Sequence, residues 1–271
     1  MKNDDIIKSI TKKYKKEIWS RFNKAIKEFE LIKNNDRIMV CISGGKDSML
    51  LAKCFEELKR HSHYKFDLEY VVMNPGYKEE NLDLLKKNLK KLNINAHIFD
   101  SDIFSVCDKI SKDNPCYLCA RMRRGFLYNK AKELGCNKIA LGHHFDDVIE
   151  TILLNILYAG EYKTMMPKLK STNFEGLELI RPFYYVHESD IKSWVNYMGL
   201  RFLNCACTVT EGVVSSKRKE IKKLISDLKM NNRNVDINIL RSSYNVNLDA
   251  IIGYKENDKT GNLLDKYDEK L

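Results

Sequence analysis

An uninterrupted apolar run, Ile38-Met39-Val40-Cys41-Ile42, meets two glycines within three residues and then an apolar helix pattern, Ser48-Met49-Leu50-Leu51-Ala52. A run with no polar residue suits a strand covered on both faces, and such strands belong to parallel sheets with helices on each side. The junction, Ser43-Gly44-Gly45-Lys46-Asp47-Ser48, falls at the strand's carboxyl end, where open α/β sheets place their ligands. Paired glycines let backbone approach an anion closely, and the following helix start offers unpaired N–H groups. Ser43 and Ser48 add hydroxyl donors and Lys46 adds positive charge. Asp47 makes sense there if a magnesium ion sits between it and phosphates. The common phosphate loop needs four residues between its first glycine and its Gly-Lys pair, and this junction lacks them. An ordinary Gly-Gly turn with a capping serine is the plainer reading, but its place between apolar strand and apolar helix favours an anion site.

Beyond the junction, strand and helix patterns alternate. Spacing predicts strands over 37–42, 66–73, 95–99 and 137–141, and helices over 47–60, 78–92, 117–134 and 145–157. That order predicts an α/β fold, a parallel sheet flanked by helices. Ahead of it, Ile18, Phe22, Ala25, Ile26, Phe29 and Ile32 recur at helical spacing among lysines, an N-terminal basic helix over 11–33. After it, residues 160–180 are less regular, and an extended piece ends at Ile180-Arg181-Pro182, since proline disfavours helix at the residue before it. A helix opened by Ser189 or Glu188 and running to about Met198, closed by Gly199, and a basic helix over 215–230 make the C-terminal part helical. The chain divides into a basic helical region at 1–35, the α/β domain at 36–205, and a basic helical extension at 206–271 whose polar tail is loose.

The 271 residues are 44% hydrophobic with 4 prolines and 12 glycines, enough for a real core and too few breakers for long linkers. The net charge of +10 concentrates at the ends: residues 1–35 hold ten Lys/Arg against five Asp/Glu, and residues 215–233 hold seven against two. One such run alone is as well read as a solvated helix face. Two of them, with Arg121, Arg123 and Arg124, point to a polyanionic partner. Nucleic acid fits better than membrane, because no stretch reaches the roughly 20 apolar residues of a spanning helix. The start, MKNDDIIKSITKKYKKE, has no apolar signal region, so the chain is expected to be cytoplasmic with its thiols reduced.

Eight cysteines in that setting suggest metal or redox chemistry for some of them. Cys41, Cys54, Cys107 and Cys136 lie in apolar or helical contexts and read as small core residues. Cys116-x-x-Cys119 and Cys205-Ala206-Cys207 are close pairs, and a shared metal site is the better reading of the two together. Four thiolates would make a closed, zinc-like site. Three would leave one iron of a cluster with an open position, and spacing does not choose between these. A third constellation is the run from Ala140 to Asn155. A strand ends at Leu141, Gly142-His143-His144 turns, and a helix bears Asp146, Asp147 and Glu150. Carboxylates favoured by the helix dipole explain one aspartate but not the whole run.

Taken together, the segments DRIMVCISGGKDSML, CYLCARMRRGFLYNKAKELGCNKIALGHHFDDVIETILLNILYAG, MMPKL and IRPFYYVHESDI resemble the tRNA 2-thiocytidine synthetases, a branch of the PP-loop ATP pyrophosphatases. With the basic helix ahead of them, the likeness covers about residues 10–215. It implies a Rossmann-like fold of the adenine nucleotide alpha-hydrolase type. It also implies a tRNA sulfurtransferase that uses ATP, releases AMP and pyrophosphate, and thiolates C2 of an anticodon-loop cytidine through an adenylated base. On this resemblance Lys46 serves the α-phosphate region and Asp47 holds Mg2+, while Ser43, Gly44, Gly45 and Ser48 form the cradle and Gly142 borders it. Met73 is expected to meet adenine through its backbone, and His143 and Asp147 to arrange the nucleotide and the attacking base.

The family also holds a [4Fe-4S] cluster on three cysteines, with the open iron carrying the transferred sulfur. Cys116 and Cys119 match directly, and Cys205 aligns as the third ligand with Cys207 as its rival. The family has two residues between the cysteines of that later pair and this chain has one. The loop after VVMNPGY is also shorter than the family's. The implied partners are tRNA and a sulfur donor such as a cysteine desulfurase or free sulfide, with no membrane, and the apolar face of the first helix is open to a homodimer. The RNA is expected to pass the N-terminal helix, Arg121, Arg123, Arg124, Lys163, Lys168 and Arg181. Two other readings compete: a PP-loop enzyme acting on a different tRNA base or a free base, and an RNA-binding protein with a structural zinc.

Overall fold

The computed structural model describes residues 3–104, 106, 115–202, 214–257 and 259–267, with the backbone alone for 115–117, 120, 214–216 and 266. The chain opens with α1 (Asn3–Lys8), two π-helical turns at Ser9–Lys13 and Lys15–Trp19, and α2 (Ser20–Glu28). The amphipathic stretch therefore begins earlier than its apolar spacing predicts and also ends earlier. Glu30, at φ 48°, stops the helix before Leu31 and Ile32. Then come β1 (Asp36–Ile42), α3 (Lys46–His61), β2 (Phe66–Asn74), α4 (Glu79–Lys91), β3 (His97–Asp100) and α5 (Pro115–Glu133). After these follow β4 (Lys138–Ala140), α6 (Phe145–Leu154) with a π-helical turn at Asn155–Ala159, β5 (Lys168–Lys170) and β6 (Glu178–Ile180). The C-terminal part holds α7 (Glu188–Tyr197), α8 (Val214–Asn231), α9 (Val235–Ser242) and a hairpin of β7 (Gly253–Glu256) and β8 (Lys259–Asn262).

The main sheet runs β3-β2-β1-β4-β6-β5. All its pairings are parallel except the last, where β5 lies antiparallel to β6 with Leu169 opposite Leu179. That edge departs from a purely parallel sheet for a simple reason: the segment 171–177 is too short for the crossover of a dozen or more residues that a parallel return needs. β1 sits inside the sheet with β2 on one side and β4 on the other. Its side chains alternate between two cores. Ile38, Val40 and Ile42 join α3, α4, α6 and the N-terminal helices, while Met39 and Cys41 pack with Tyr128 and Ala131 of α5. Burial on both faces is why this strand has no polar residue from 38 to 42.

The N-terminal helices belong to the core. Ile6, Ile10, Ile18, Phe22 and Ala25 are fully buried, and the Phe22 ring meets Phe55 and Phe183 edge-on. This corrects one expectation, since the apolar face held open for a homodimer is already covered by the chain's own sheet layer. The lysines Lys8, Lys12, Lys13, Lys15 and Lys16 of the same segment stay exposed.

Candidate functional site

The chain runs β1 to β3 outward on one side of the sheet, then returns to place β4 on the other side of β1. This reversal opens a crevice beyond the carboxyl ends of β1 and β4. The loop after β1 and the turn after β4 meet there. A Cβ on Gly142 would lie 3.1 Å from the Ser48 nitrogen and 3.2 Å from the Asp47 carbonyl carbon, so glycine is what lets the two segments touch.

The loop is closed by its serines. Ser48 Oγ accepts from Ser43 N at 3.1 Å and donates to the Gly45 carbonyl at 3.0 Å. Gly44 takes φ 81°, a region that disfavours residues with a Cβ. Helix α3 starts at Lys46, so the first-turn N–H groups have no intrahelical partner and point into the crevice mouth. Lys46 Nζ reaches Asp47 at 3.2 Å and Glu188 of α7 at 3.0 Å. Burial works against its charge, but Asp47 and Glu188 outweigh that and raise its pKa. Glu188 goes the opposite way: burial disfavours its charge, yet the hydrogen bonds from Lys192 and Lys46 hold its carboxyl well below the usual range.

A cavity of about 280 Å³ lies over this loop, walled by Ser43, Asp47, Ser48, Met73, Arg123, Gly142, His143 and Asp147 among others. Three of its polar atoms, Asp47 Oδ1, His143 Nδ1 and Arg123 Nε, are buried with no hydrogen-bond partner among the described residues. Buried polar atoms are rarely left so, and those facing a cavity are available to a ligand. Burial pushes the His143 pKa from 6.5 down to about 4, with Arg181, His144 and Arg218 acting in the same direction against Asp147. The ring is therefore neutral near pH 7.

The aspartates of α6 have separate tasks. His144 and Asp147 form a capping box: Asp147 Oδ2 accepts from His144 N at 3.0 Å, and His144 Nδ1 accepts from Asp147 N at 3.4 Å. Asp147 Oδ1 accepts from Arg218 of α8 at 3.0 Å. Burial favours the neutral acid at Asp147, but His144, His143 and Arg218 lower its pKa nonetheless. Asp146 turns away and accepts from the Glu188 backbone at 2.7 Å, tying α6 to the start of α7. Glu150, 1% exposed, is pushed by burial up to about 7 against the pull of Lys222 and Arg218.

Helix α5 brings Cys119 towards this cavity. Arg123 and Leu127 line it, and Cys119 lies one helical turn before Arg123 on the same face. Cys119 and Leu127 pack against Met73 and Ile103. Met73 thus borders both the cavity and Cys119, with its backbone in register with Phe99 of β3. Cys116 is the second residue of α5 by its backbone, while its side chain, and all of Cys107, Cys205 and Cys207, lie outside the described residues. Cys41, Cys54 and Cys136 are buried core thiols whose pKa values burial raises, Cys136 to about 11.

The residues expected along an RNA path split. Arg121 and Arg124 are exposed and line a surface groove with Leu169 and Lys170, and Lys163 is exposed. Lys168 is half-buried in β5. Arg123 lies over the Phe104 ring, 5.2 Å from its centroid. Arg181 is largely buried, donates to the Met166 carbonyl, and has its pKa lowered by burial to about 10. Sequence spacing gave no hint of Glu188, Arg218 or Lys222 at the site, because their partners lie 34 to 142 residues away.

Residues 14–209 match the PP-loop domain family. The chain is 36% identical over 236 residues to the tRNA-cytidine(32) 2-sulfurtransferase of Geobacter sulfurreducens, covering 86% of this chain and 91% of that one. It is 39% identical over 222 residues to the protein of the same name from Syntrophotalea carbinolica, covering 81% and 83%. Among solved structures, the U34-tRNA thiolase NcsA of Methanococcus maripaludis, solved with its [4Fe-4S] cluster, superposes with a TM-score of 0.68 at 23% identity, over 83% of this chain and 77% of that one. At that identity the superposition speaks for the fold.

Proposed function

The chain belongs to the PP-loop family, in the branch of the tRNA-cytidine(32) 2-sulfurtransferases, and we propose on that footing that it carries out ATP-dependent 2-thiolation of a cytidine in a tRNA anticodon loop. The observation that carries this reading is convergence on one cavity. The glycine loop, the Asp47 carboxylate, whose Oδ1 accepts no hydrogen bond among the described residues, and the Cys119 face of α5 all border the same space.

The donor set fits ATP with magnesium. Backbone N–H groups at the start of α3 and the Ser43 and Ser48 hydroxyls suit phosphate oxygens. Asp47 offers one carboxylate oxygen that no protein donor satisfies by a hydrogen bond among the described residues. Among those residues no cluster of three or more His, Cys, Asp or Glu could hold a metal by itself, which suits magnesium, since it binds through one or two carboxylates plus phosphates. ATP held there with magnesium would supply an electrophilic α-phosphorus: the base oxygen would bond to it as the bond to pyrophosphate breaks, and the ester would make that oxygen a leaving group.

This chain's residues then have definite tasks. Lys46, held at the loop by Glu188, turns its remaining N–H donor to the phosphates and offsets the charge that builds on them. Met73 borders the adenine side. His143, neutral, arranges the attacking base by hydrogen bonds without competing for the phosphates, and Asp147 fixes the geometry beside it. Cys116, Cys119 and Cys205 are the proposed ligands of a [4Fe-4S] cluster, which would supply sulfur to the activated carbon. The exposed Arg121, Arg124, Lys163 and N-terminal lysines border the RNA. A cytoplasmic site of action goes with a tRNA substrate and reduced thiols.

Mass spectrometry of tRNA nucleosides from a deletion strain is the test. Loss of 2-thiocytidine is expected, and an unchanged nucleoside profile would overturn the reading. Anaerobic purification should also give brown protein with about four irons per chain, whereas colourless protein with one tight zinc would remove the cluster.

A further inference from the structure

Helix α8 carries its basic residues on more than one face. Arg218, Ile221, Lys222 and Ile225 share a face by their three- and four-residue spacing, and Ile221 and Ile225 are buried. Lys223 lies off that face, 80% exposed in its side chain, and pairs with Asp227. From sequence the whole basic stretch suggests a polyanionic partner, but Arg218 and Lys222 are directed at carboxylates of the chain itself.

These two residues complete an unbroken line of alternating acidic and basic side chains. Asp147 meets Arg218 at 3.0 Å, and Arg218 meets Glu150 at 3.3 Å. Glu150 meets Lys222 at 3.6 Å, Lys222 meets Glu188 at 3.1 Å, and Glu188 meets Lys46 at 3.0 Å. The line starts at one wall of the cavity, Asp147, and ends at the glycine loop, Lys46, passing through four helices. Stability does not explain it well. Arg218 and Lys222 are 41% and 45% exposed in their side chains, so their pairs with the part-buried Asp147 and Glu188 add little, and only their contacts with Glu150, 2% exposed in its side chain, bear on stability. Ile221, Ile225 and Leu240 already seat α8 and α9 on the core through apolar burial. What fixed charges accomplish at such a place is orientation of the carboxylates they hold.

We propose that Arg218 and Lys222 are positioning residues of the nucleotide site, Arg218 fixing the Asp147 carboxylate and Lys222 fixing Lys46 through Glu188. The proposal rests on the reading of the cavity as an ATP site. It makes α8 part of a site whose other described members all precede residue 190.

The test is calorimetric titration of Mg–ATP into the full chain, with thermal melting and salt-dependent tRNA binding measured on the same variants. Arg218→Gln and Lys222→Gln are each expected to weaken Mg–ATP binding about tenfold, the usual cost of losing a group that orients a ligand-binding residue. Any fall in melting temperature caused by stranding Glu150 should be recovered in Glu150→Gln/Arg218→Gln, and Arg218→Lys should recover part of the affinity. Lys223→Gln should change nothing. The double variant Glu150→Gln/Arg218→Gln removes the buried charge left alone, and its Mg–ATP binding should stay weak because Asp147 still lacks its cation. Wild-type affinity in Arg218→Gln, or full recovery in the double variant, would overturn the proposal. So would a tRNA salt slope lowered by about one with ATP binding intact, which marks a phosphate contact on RNA. Failure of the underlying site reading looks different: the unaltered chain would not bind Mg–ATP, or Lys46→Ala would bind it as well as wild type.

Discussion

Two buried groups at the site respond to pH in opposite ways, and the signs can be worked out residue by residue. His143 is lowered from 6.5 to about 4, so between those values the unfolded chain holds the extra proton. Its contribution to stability is complete above pH 6.5 and is lost as the pH falls towards 4. Glu150 is raised from 4.5 to about 7, so in that window the folded chain holds the extra proton, and stability falls as the pH rises through it. Urea midpoints measured from pH 4 to 8 should show a shallower acid loss in His143→Asn and a shallower loss towards neutral pH in Glu150→Gln. A variant whose profile parallels the wild type would refute the assignment for that residue. At the same scale, Cys119→Ser should abolish thiolation while Mg–ATP affinity stays near wild type, since the cysteine packs beside Met73 and does not line the glycine loop. Equal loss of both would make Cys119 a structural residue. These environments were not readable beforehand. The spacing of His143 and Asp147 advertised a site, but their charge states follow first from burial, which packing alone decides, with Arg181 and Arg218 from far along the chain adding to it.

At the scale of elements, the crevice exists because β4 returns to the opposite side of β1 from β2. Gly142 is the point where this arrangement is tightest. A methyl group there would press on the backbone of Asp47 and Ser48 at 3.1 to 3.3 Å, tighter than ordinary contact. Gly142→Ala should therefore push the start of α3 away from β4 and weaken Mg–ATP binding by about tenfold or more, with far-ultraviolet circular dichroism unchanged. Gly160→Ala, at φ 62° with open space around its Cβ, strains only its own turn and should leave nucleotide binding alone. The helices and the four strands from 37 to 141 were legible to within a residue or two, because continuous apolar runs and helical spacing mark them. β5 was not, since three residues with lysine at both ends carry no strand pattern. The two π-helical turns also shifted the limits of the first helix, because each adds a residue per turn that a 3.6-residue period does not register.

For the whole molecule, the N-terminal region is structural before it is anything else. Phe22 is fully buried against Phe55 and Phe183, so Phe22→Ala should cost about 3–5 kcal/mol in chemical denaturation. Removing residues 3–28 should abolish cooperative folding, because it uncovers the apolar layer over α3 and α7. A truncated chain that still melts cooperatively would show the segment to be an appendage. The exposed lysines of the same segment leave room for a second role at the surface, and their neutralisation should flatten the salt dependence of tRNA binding without lowering stability. Among the described residues no helix is long and apolar enough to cross a membrane.

Local pattern alone settled the α/β class and the position of the glycine loop, because each rests on neighbours within a few residues. The sheet order, the edge strand's direction and the covering of the first helix came only with the fold. So did the charge line from Asp147 to Lys46, whose members are spread from residue 46 to residue 222. Charges that far apart in the chain are brought within 4 Å only by packing, and no periodicity in the sequence encodes which carboxylate a given lysine will meet.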